Sequence, residues 1–234
     1  MMGLILGTLR PMLGLWVRSQ LAAVETLELQ IEARDREFLR GQLQKVELQA
    51  IAAVYQGLHL GHAALVARRI SIQWRPSVRL RAPLIAALQV DLTQADFAAS
   101  LASPLLQSGI ADLLEKAFGR NPLAERAIVW ETVRLETGAI ALEGQDVHLE
   151  LGITAEESHL TLAPIRLQFD DRQLEAASVT FNLGDAAIES LDIQRDRLCL
   201  SGQIAIQPGI GDAPGEVQIA QTGPSVDSEV SGSK

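Results

Sequence analysis

Leu84 to Phe118 reads LIAALQVDLTQADFAASLASPLLQSGIADLLEKAF, and the fold turns on where its periodicity changes. Leu84 to Leu92 is a long apolar run with the look of a buried strand. At Thr93-Gln94-Ala95-Asp96 the pattern stops. A Thr followed three residues later by an acid has the form of a capping box, in which the hydroxyl accepts an orphan amide of a helix's first turn. Ser103-Pro104 offers a second cap with Pro at the first helical position, which predicts a broken pair of helices. Phe97, Leu101, Leu105, Leu106, Ile110, Leu113, Leu114 and Phe118 supply their apolar face, and Gly119-Arg120-Asn121-Pro122 ends them.

On both sides of this segment the period is two. Leu27, Leu29 and Ile31 alternate with Glu28, Gln30 and Glu32, and Val46, Leu48 and Ala50 share a face of the next run. Arg34 to Glu37 reads as a charged turn or strand edge. Gly57 and Gly61 punctuate the run that continues through Ala63 to Ile72, and Val78, Leu80 and Ala82 alternate with Arg79 and Arg81. From Ile128 onward the same signal returns, with turns at Glu143 to Asp146 and at Gly184-Asp185 and a bulge or edge at Pro164. Short strands spaced by turns at roughly ten residues predict an antiparallel meander with one apolar face. The expected fold is therefore α+β, a long and strongly curved antiparallel sheet on a broken helix. Residues 207–234, rich in Gly, Pro and Ser without periodicity, are expected to be a disordered tail.

The chain has 234 residues, of which 47% are hydrophobic, 21% charged and 4% aromatic, with a single cysteine. One cysteine excludes a disulfide scaffold and a cysteine-based zinc site. Residues 1–91 carry 11 Lys/Arg against 7 Asp/Glu, whereas residues 92–234 carry 9 against 22. A basic front on a chain of net charge −9 suits an anionic membrane surface better than nucleic acid. Residues 1–24 are too interrupted by Arg10, Pro11 and Arg18 to span a bilayer and lack a basic n-region or cleavage site for export. Their small and basic stripe opposes an apolar one, the pattern of a helix lying in a membrane interface. Arg10, Leu13, Trp16, Val17 and Arg18 are its expected membrane contacts. Packing of this stripe on the protein's own sheet is the alternative.

Catalytic chemistry is not legible. His59 and His62 lie three apart with no carboxylate beside them, a weak metal pair, and no metal is expected. Glu156-Glu157-Ser158-His159 offers acid, nucleophile and base only as neighbours in sequence. A G-x-S-x-G elbow is missing, and Gly209 to Gly215 does not match a dinucleotide fingerprint. No enzyme and no cofactor are expected. The inward residues are aliphatic rather than aromatic, which suits either a lipid-sized groove, where acyl chains complete the apolar volume, or a well-packed aliphatic core.

Ala53-Val54-Tyr55-Gln56-Gly57-Leu58-His59-Leu60, followed by Leu92 to Leu106, resembles the LmeA family of phospholipid-binding proteins. Leu15-Trp16-Val17-Arg18-Ser19-Gln20 is similar to the opening of members in photosynthetic bacteria. The resemblance covers roughly residues 1–206. It implies a tubular lipid-binding (TULIP-like) architecture at 25–206, preceded by an amphipathic helix at 1–24, with lipid in the apolar concavity. Phe97, Leu101, Leu105, Leu106, Ile110, Leu113 and Leu114 are then the expected lining. The implied role is non-catalytic: binding, and in some settings transfer, of a phospholipid or glycolipid by a peripheral protein. Its partners would be membrane lipids with anionic headgroups, or a membrane protein complex, and not nucleic acid. The cytoplasmic side of a thylakoid or plasma membrane is the expected location. A structural or assembly factor without lipid cargo is the alternative.

Overall fold

The computed structural model describes residues 17–19, 21–73, 79–118, 128–169, 172–174 and 177–208. Its strands form two antiparallel sheets instead of one. The first sheet contains β1 (Ala23–Glu32), β2 (Gln42–Tyr55), β3 (Leu58–Gln73), β4 (Arg79–Leu80), β5 (Leu84–Thr93), β12 (Ala186–Gln194) and β13 (Arg197–Ile206). Its order is β1-β2-β3-β5-β13-β12, with β4 beside β3. The second contains β6 (Trp130–Glu136), β7 (Ala139–Gly144), β8 (Val147–Glu156), β9 (His159–Phe169), β10 (Arg172–Leu174) and β11 (Val179–Asn182). The strands from 130 to 182 pair among themselves, and the chain then returns to the first sheet, where β13 pairs with β5 and β12 with β13. Among the described residues lie the helices α1 (Asp35–Leu39), α2 (Gln94–Ser100) and α3 (Pro104–Phe118), besides a helical turn at 17–19.

Local chemistry explains the principal turns. Gln56 and Gly57 both take positive φ, 49° and 82°, the geometry of a two-residue type I′ hairpin between β2 and β3. That hairpin is the backbone of the first sheet, for β3 has 16 residues and extends about 50 Å. It bends twice. Ala52 (φ 49°) and Arg69 (φ 55°) sit in left-handed conformations within the strands, and beside each the buried positions change phase. Ala50 and Ala53 are buried around exposed Ile51 and Ala52; Ala67 and Ile70 are buried around exposed Arg68 and Arg69. Pairing keeps one register through both bends, so the whole ribbon curves.

The capping box forms at α2. Thr93 Oγ1 accepts from Asp96 N at 3.2 Å, and Asp96 Oδ2 accepts from Thr93 N at 2.9 Å. Ser103 Oγ accepts from Leu106 N at 3.1 Å, so α3 is capped too, and the two helices are bent by 85°. Among the described residues no single helix is long and apolar enough to cross a membrane. The charged stretch at Arg34 to Glu37 differs from expectation. It opens α1 because Phe38, 4% exposed, anchors that turn in an apolar cluster. Gly41 (φ 79°) closes the helix by donating to Phe38 O. Of the alternation around Val78 to Ala82 only Arg79–Leu80 pairs as a strand, and Val78 lies outside the described residues. The bulge foreseen at Pro164 occurs as a register shift in β8 and β9.

Two apolar cores result. The larger joins Leu101, Ile110, Leu113 and Leu114 to the inner face of the second sheet and to Ile193 and Leu198 at one end of the first. Leu113, Leu149 and Leu167 are almost fully enclosed there, each burial contributing about 2 kcal/mol. The smaller core lies at the far end of the first sheet, where Phe38 covers Leu43, Ala67, Ile70, Ile72 and Ala86. Asp170-Asp171, Gly119 to Pro122 and the tail from 209 lie outside the described residues.

Candidate functional site

The register of the first sheet aligns its apolar phase across five strands. Leu29 pairs with Leu48, Leu48 with Leu65, Leu65 with Leu88, and Leu88 with Gly202. A parallel row runs Leu27, Ala50, Ala63, Val90 and Leu200. These rows share one face, since side chains alternate along a strand. They lie between the two cores. Leu27, Leu29, Leu48, Leu88 and Val90 belong to neither cluster and remain half-buried. The result is an apolar strip on a curved sheet, closed at one end by Phe38 and at the other by the helices. Small residues at Ala50, Ala63 and Gly202 keep its floor low.

The helix elbow is fixed to this strip by the β2–β3 hairpin. Gly57 lies so close to Ser103 that a Cβ there would sit 2.9 Å from the Ser103 Cβ. His59 N donates to Ser100 Oγ at 2.8 Å, and Ser100 Oγ donates to Asp96 O at 2.7 Å. At Gly61 a Cβ would stand 2.6 Å from Asp96 Oδ2, so glycine is what lets α2 approach β3. The two stretches Ala53 to Leu60 and Leu92 to Leu106 therefore meet in space as one joint.

Leu101, Ile110, Leu113 and Leu114 are buried in the larger core. Phe97, Leu105 and Leu106 are half-buried, and Phe97 and Leu106 pack against that core. Arg10, Leu13 and Trp16 lie outside the described residues; Val17 is half-buried and Arg18 exposed in a short helical turn. The leucine row on the sheet was not singled out from the sequence, although its signal was there. Once Gln56-Gly57 is taken as a two-residue turn, Leu48 must face Leu65.

The opposite face of the same sheet is polar. His62, Asp91, Cys199 and Asp192 occupy one cross-strand row. Asp91 lies 3.4 Å from His62 Nδ1 and 3.3 Å from Arg197 Nη2. A hydrogen bond with the Cys199 thiol, with help from Arg197 and His62, holds the Asp91 carboxyl below its ordinary value against the opposing effect of burial. Burial first, and then the Asp91 carboxylate, push the Cys199 thiol up. An acid whose folded value is depressed lends stability above the ordinary carboxylate range and loses it as pH falls through the folded value. Asp91→Asn should therefore flatten the acid limb of the stability curve. It should also move the inflection of the pH–rate profile for Cys199 alkylation to lower pH, because the anion that opposes the thiolate is gone. An unmoved profile would show that Asp91 does not govern the thiol.

Two surface depressions are polar and lie away from the strip. One, of about 630 Å³, is lined by Glu143, Asp146, His148, Arg166 and Gln168. The other, of about 1220 Å³, includes Glu156, Glu157, Ser158 and His159 between the sheets. No group of His, Cys, Asp or Glu side chains among the described residues is arranged to hold a metal.

The first sheet thus carries a continuous half-buried aliphatic face between its two cores. Residues 3–220 match the family described as LmeA-like phospholipid-binding, and the chain belongs to that family. No curated protein and no solved structure matches it. Lipid binding is thus the family's property, and membrane lipids are the class of partner it implies.

Proposed function

We propose that the protein is a non-catalytic peripheral membrane protein that holds the acyl chains of a phospholipid, or of a glycolipid, on the strip between its two cores. The observation that carries this reading is the row Leu29, Leu48, Leu65, Leu88, which crosses four strands and in which only Leu65 packs against a core. Each methylene laid on such a surface gains about 0.8 kcal/mol on leaving water, so one chain is enough for retention. Residues 25–206 act as one TULIP-like unit, the curved sheet lying on the bent helix pair. Phe97, Leu105 and Leu106 border the lipid at the elbow, and Leu101, Ile110, Leu113 and Leu114 hold the helix beneath it. The front segment, 1–24, contacts anionic headgroups through Arg10, Leu13, Trp16, Val17 and Arg18.

Native mass spectrometry of the purified chain, paired with lipid analysis of its organic extract, tests this directly. A stoichiometric phospholipid or glycolipid adduct is expected. A bare polypeptide mass, with no lipid taken up from added vesicles, would overturn it in favour of a structural factor attached to a membrane complex.

A further inference from the structure

The far end of the first sheet gathers arginines around an exposed leucine. Arg36 and Arg40 flank Leu39 at the end of α1, and Leu39 is 65% exposed. Ile72 N donates to Gly41 O at 2.7 Å, which fixes the end of α1 against β3. Arg81 N donates to Ser71 O at 2.8 Å on the same strand end. Arg68 and Arg69 are exposed together at the second bend of β3, within about 10 Å along the strand. Nearby acids are largely engaged: Glu37 with Arg34, and Glu32 and Glu47 with Lys45. Asp35 is the one acid there outside those pairs. Among the described residues Arg36, Arg40, Arg68, Arg69 and Arg81 are in no ion pair.

From this we infer that the α1 end of the sheet is a docking surface for an anionic lipid bilayer, distinct from the front segment and placed at the end of the strip that Phe38 covers. The inference rests on the lipid-binding reading. Charge complementarity selects an anionic partner, and exposed Leu39 amid the guanidinium groups selects a membrane over nucleic acid, because a leucine gains nothing from a phosphate backbone and much from an acyl boundary. Residues 92–234, with 9 Lys/Arg against 22 Asp/Glu, disfavour approach of an anionic surface from their side. Phe38, the next residue inward, covers the smaller core. Docking there therefore sets the covered end of the strip against the bilayer.

Flotation of the full chain with phosphatidylcholine vesicles, with and without about one third phosphatidylglycerol, tests this. The wild type should float with anionic vesicles, be released by salt, and ignore neutral ones. Arg36→Gln/Arg40→Gln should weaken partition about fivefold per arginine, roughly thirtyfold for the pair. Leu39→Ser should weaken it separately while leaving thermal stability intact, and Arg68→Gln/Arg69→Gln supplies an independent pair. Co-purified lipid, read by native mass spectrometry, should be unchanged in every variant. Undiminished flotation of the variants, or wild-type binding that is equal on neutral vesicles, would overturn the docking surface. Double-stranded DNA binding that Leu39→Ser leaves untouched would overturn it too. A wild-type protein that carries lipid but does not float with anionic vesicles sinks this inference alone. Docking by a protein that carries no lipid sinks the lipid reading alone.

Discussion

Leu48→Glu/Leu88→Glu should abolish the co-purified lipid while leaving the protein folded. Both leucines flank Leu65 in the row that crosses β2, β3 and β5, and neither belongs to a buried cluster. Each is half-buried, so a glutamate there keeps a path to water in the empty protein and costs little. With an acyl chain laid over the strip that path closes. An unpaired carboxylate then costs several kcal/mol or must take up a proton, and two such groups cancel much of what one chain gains, enough to lose the lipid on purification. Gln49→Glu/Gln89→Glu is the matched control. These residues neighbour the leucines in sequence but are exposed on the opposite face, so the same added charge should leave the lipid in place. Native mass spectra should show no adduct for the leucine pair, an unchanged adduct for the glutamine pair, and melting temperatures within about 3 °C of the parent. Lipid retained in the leucine pair would move the binding surface elsewhere.

The position of that strip illustrates what the sequence made legible. Alternation at Leu27 to Ile31 and at Val46 to Ala50, and the apolar run at Leu84 to Leu92, define strands, because each signal is a property of its segment alone. Capping at Thr93 and Ser103 is equally local, and both caps form. Family membership is shown by the match over residues 3–220, and the two stretches that carry the resemblance in the sequence meet in space at Gly57, Ser100 and Ser103. What escaped is long-range. Nothing local separates the 130 to 182 strands into a second sheet, because the decision belongs to Leu198 and Leu200 pairing back with Leu92 and Val90 across a hundred residues. The same distance hides the site. Apolar residues on α3 are the densest in the chain, yet density marks the core, and Leu113 and Leu114 are enclosed for that reason. Half-burial, which marks a surface available to a ligand, depends on what the other elements fail to cover. The short helix α1 escaped for a related reason: its N-cap Arg34 and its first three residues are charged, and only the tertiary anchor at Phe38 makes a helix there worthwhile.

Opposite signs are expected for one and the same substitution at two glycines. Gly202 in β13 completes the leucine row without a side chain, beside the bulge where β12 shifts register between Ile188 and Ser190. A Cβ at Gly202 would intrude on the Ala187 carbonyl oxygen and stand 3.1 Å from the Ile188 Cα. Both are backbone atoms, so no rotamer change relieves the overlap. The same bulge carries the bond from Ile188 N to Glu157 O, 2.7 Å long, which ties the first sheet to the end of β8. Gly202→Ala must push β12 outward and strain that tie, a cost of about 3 kcal/mol. In a chain of this size that lowers the melting temperature by roughly 6 to 12 °C. Gly109 lies within α3, exposed, with nothing near its would-be Cβ. There alanine raises helix propensity and restricts the unfolded chain, so Gly109→Ala should stabilise by about 0.5 to 1 kcal/mol. Denaturant midpoints of the two variants against the parent read the difference. If Gly202→Ala matched the parent, β12 would not be held to β13 by the close approach that shapes this edge of the strip. A Gly109→Ala variant less stable than the parent would mean that α3 is not an exposed helix at that turn.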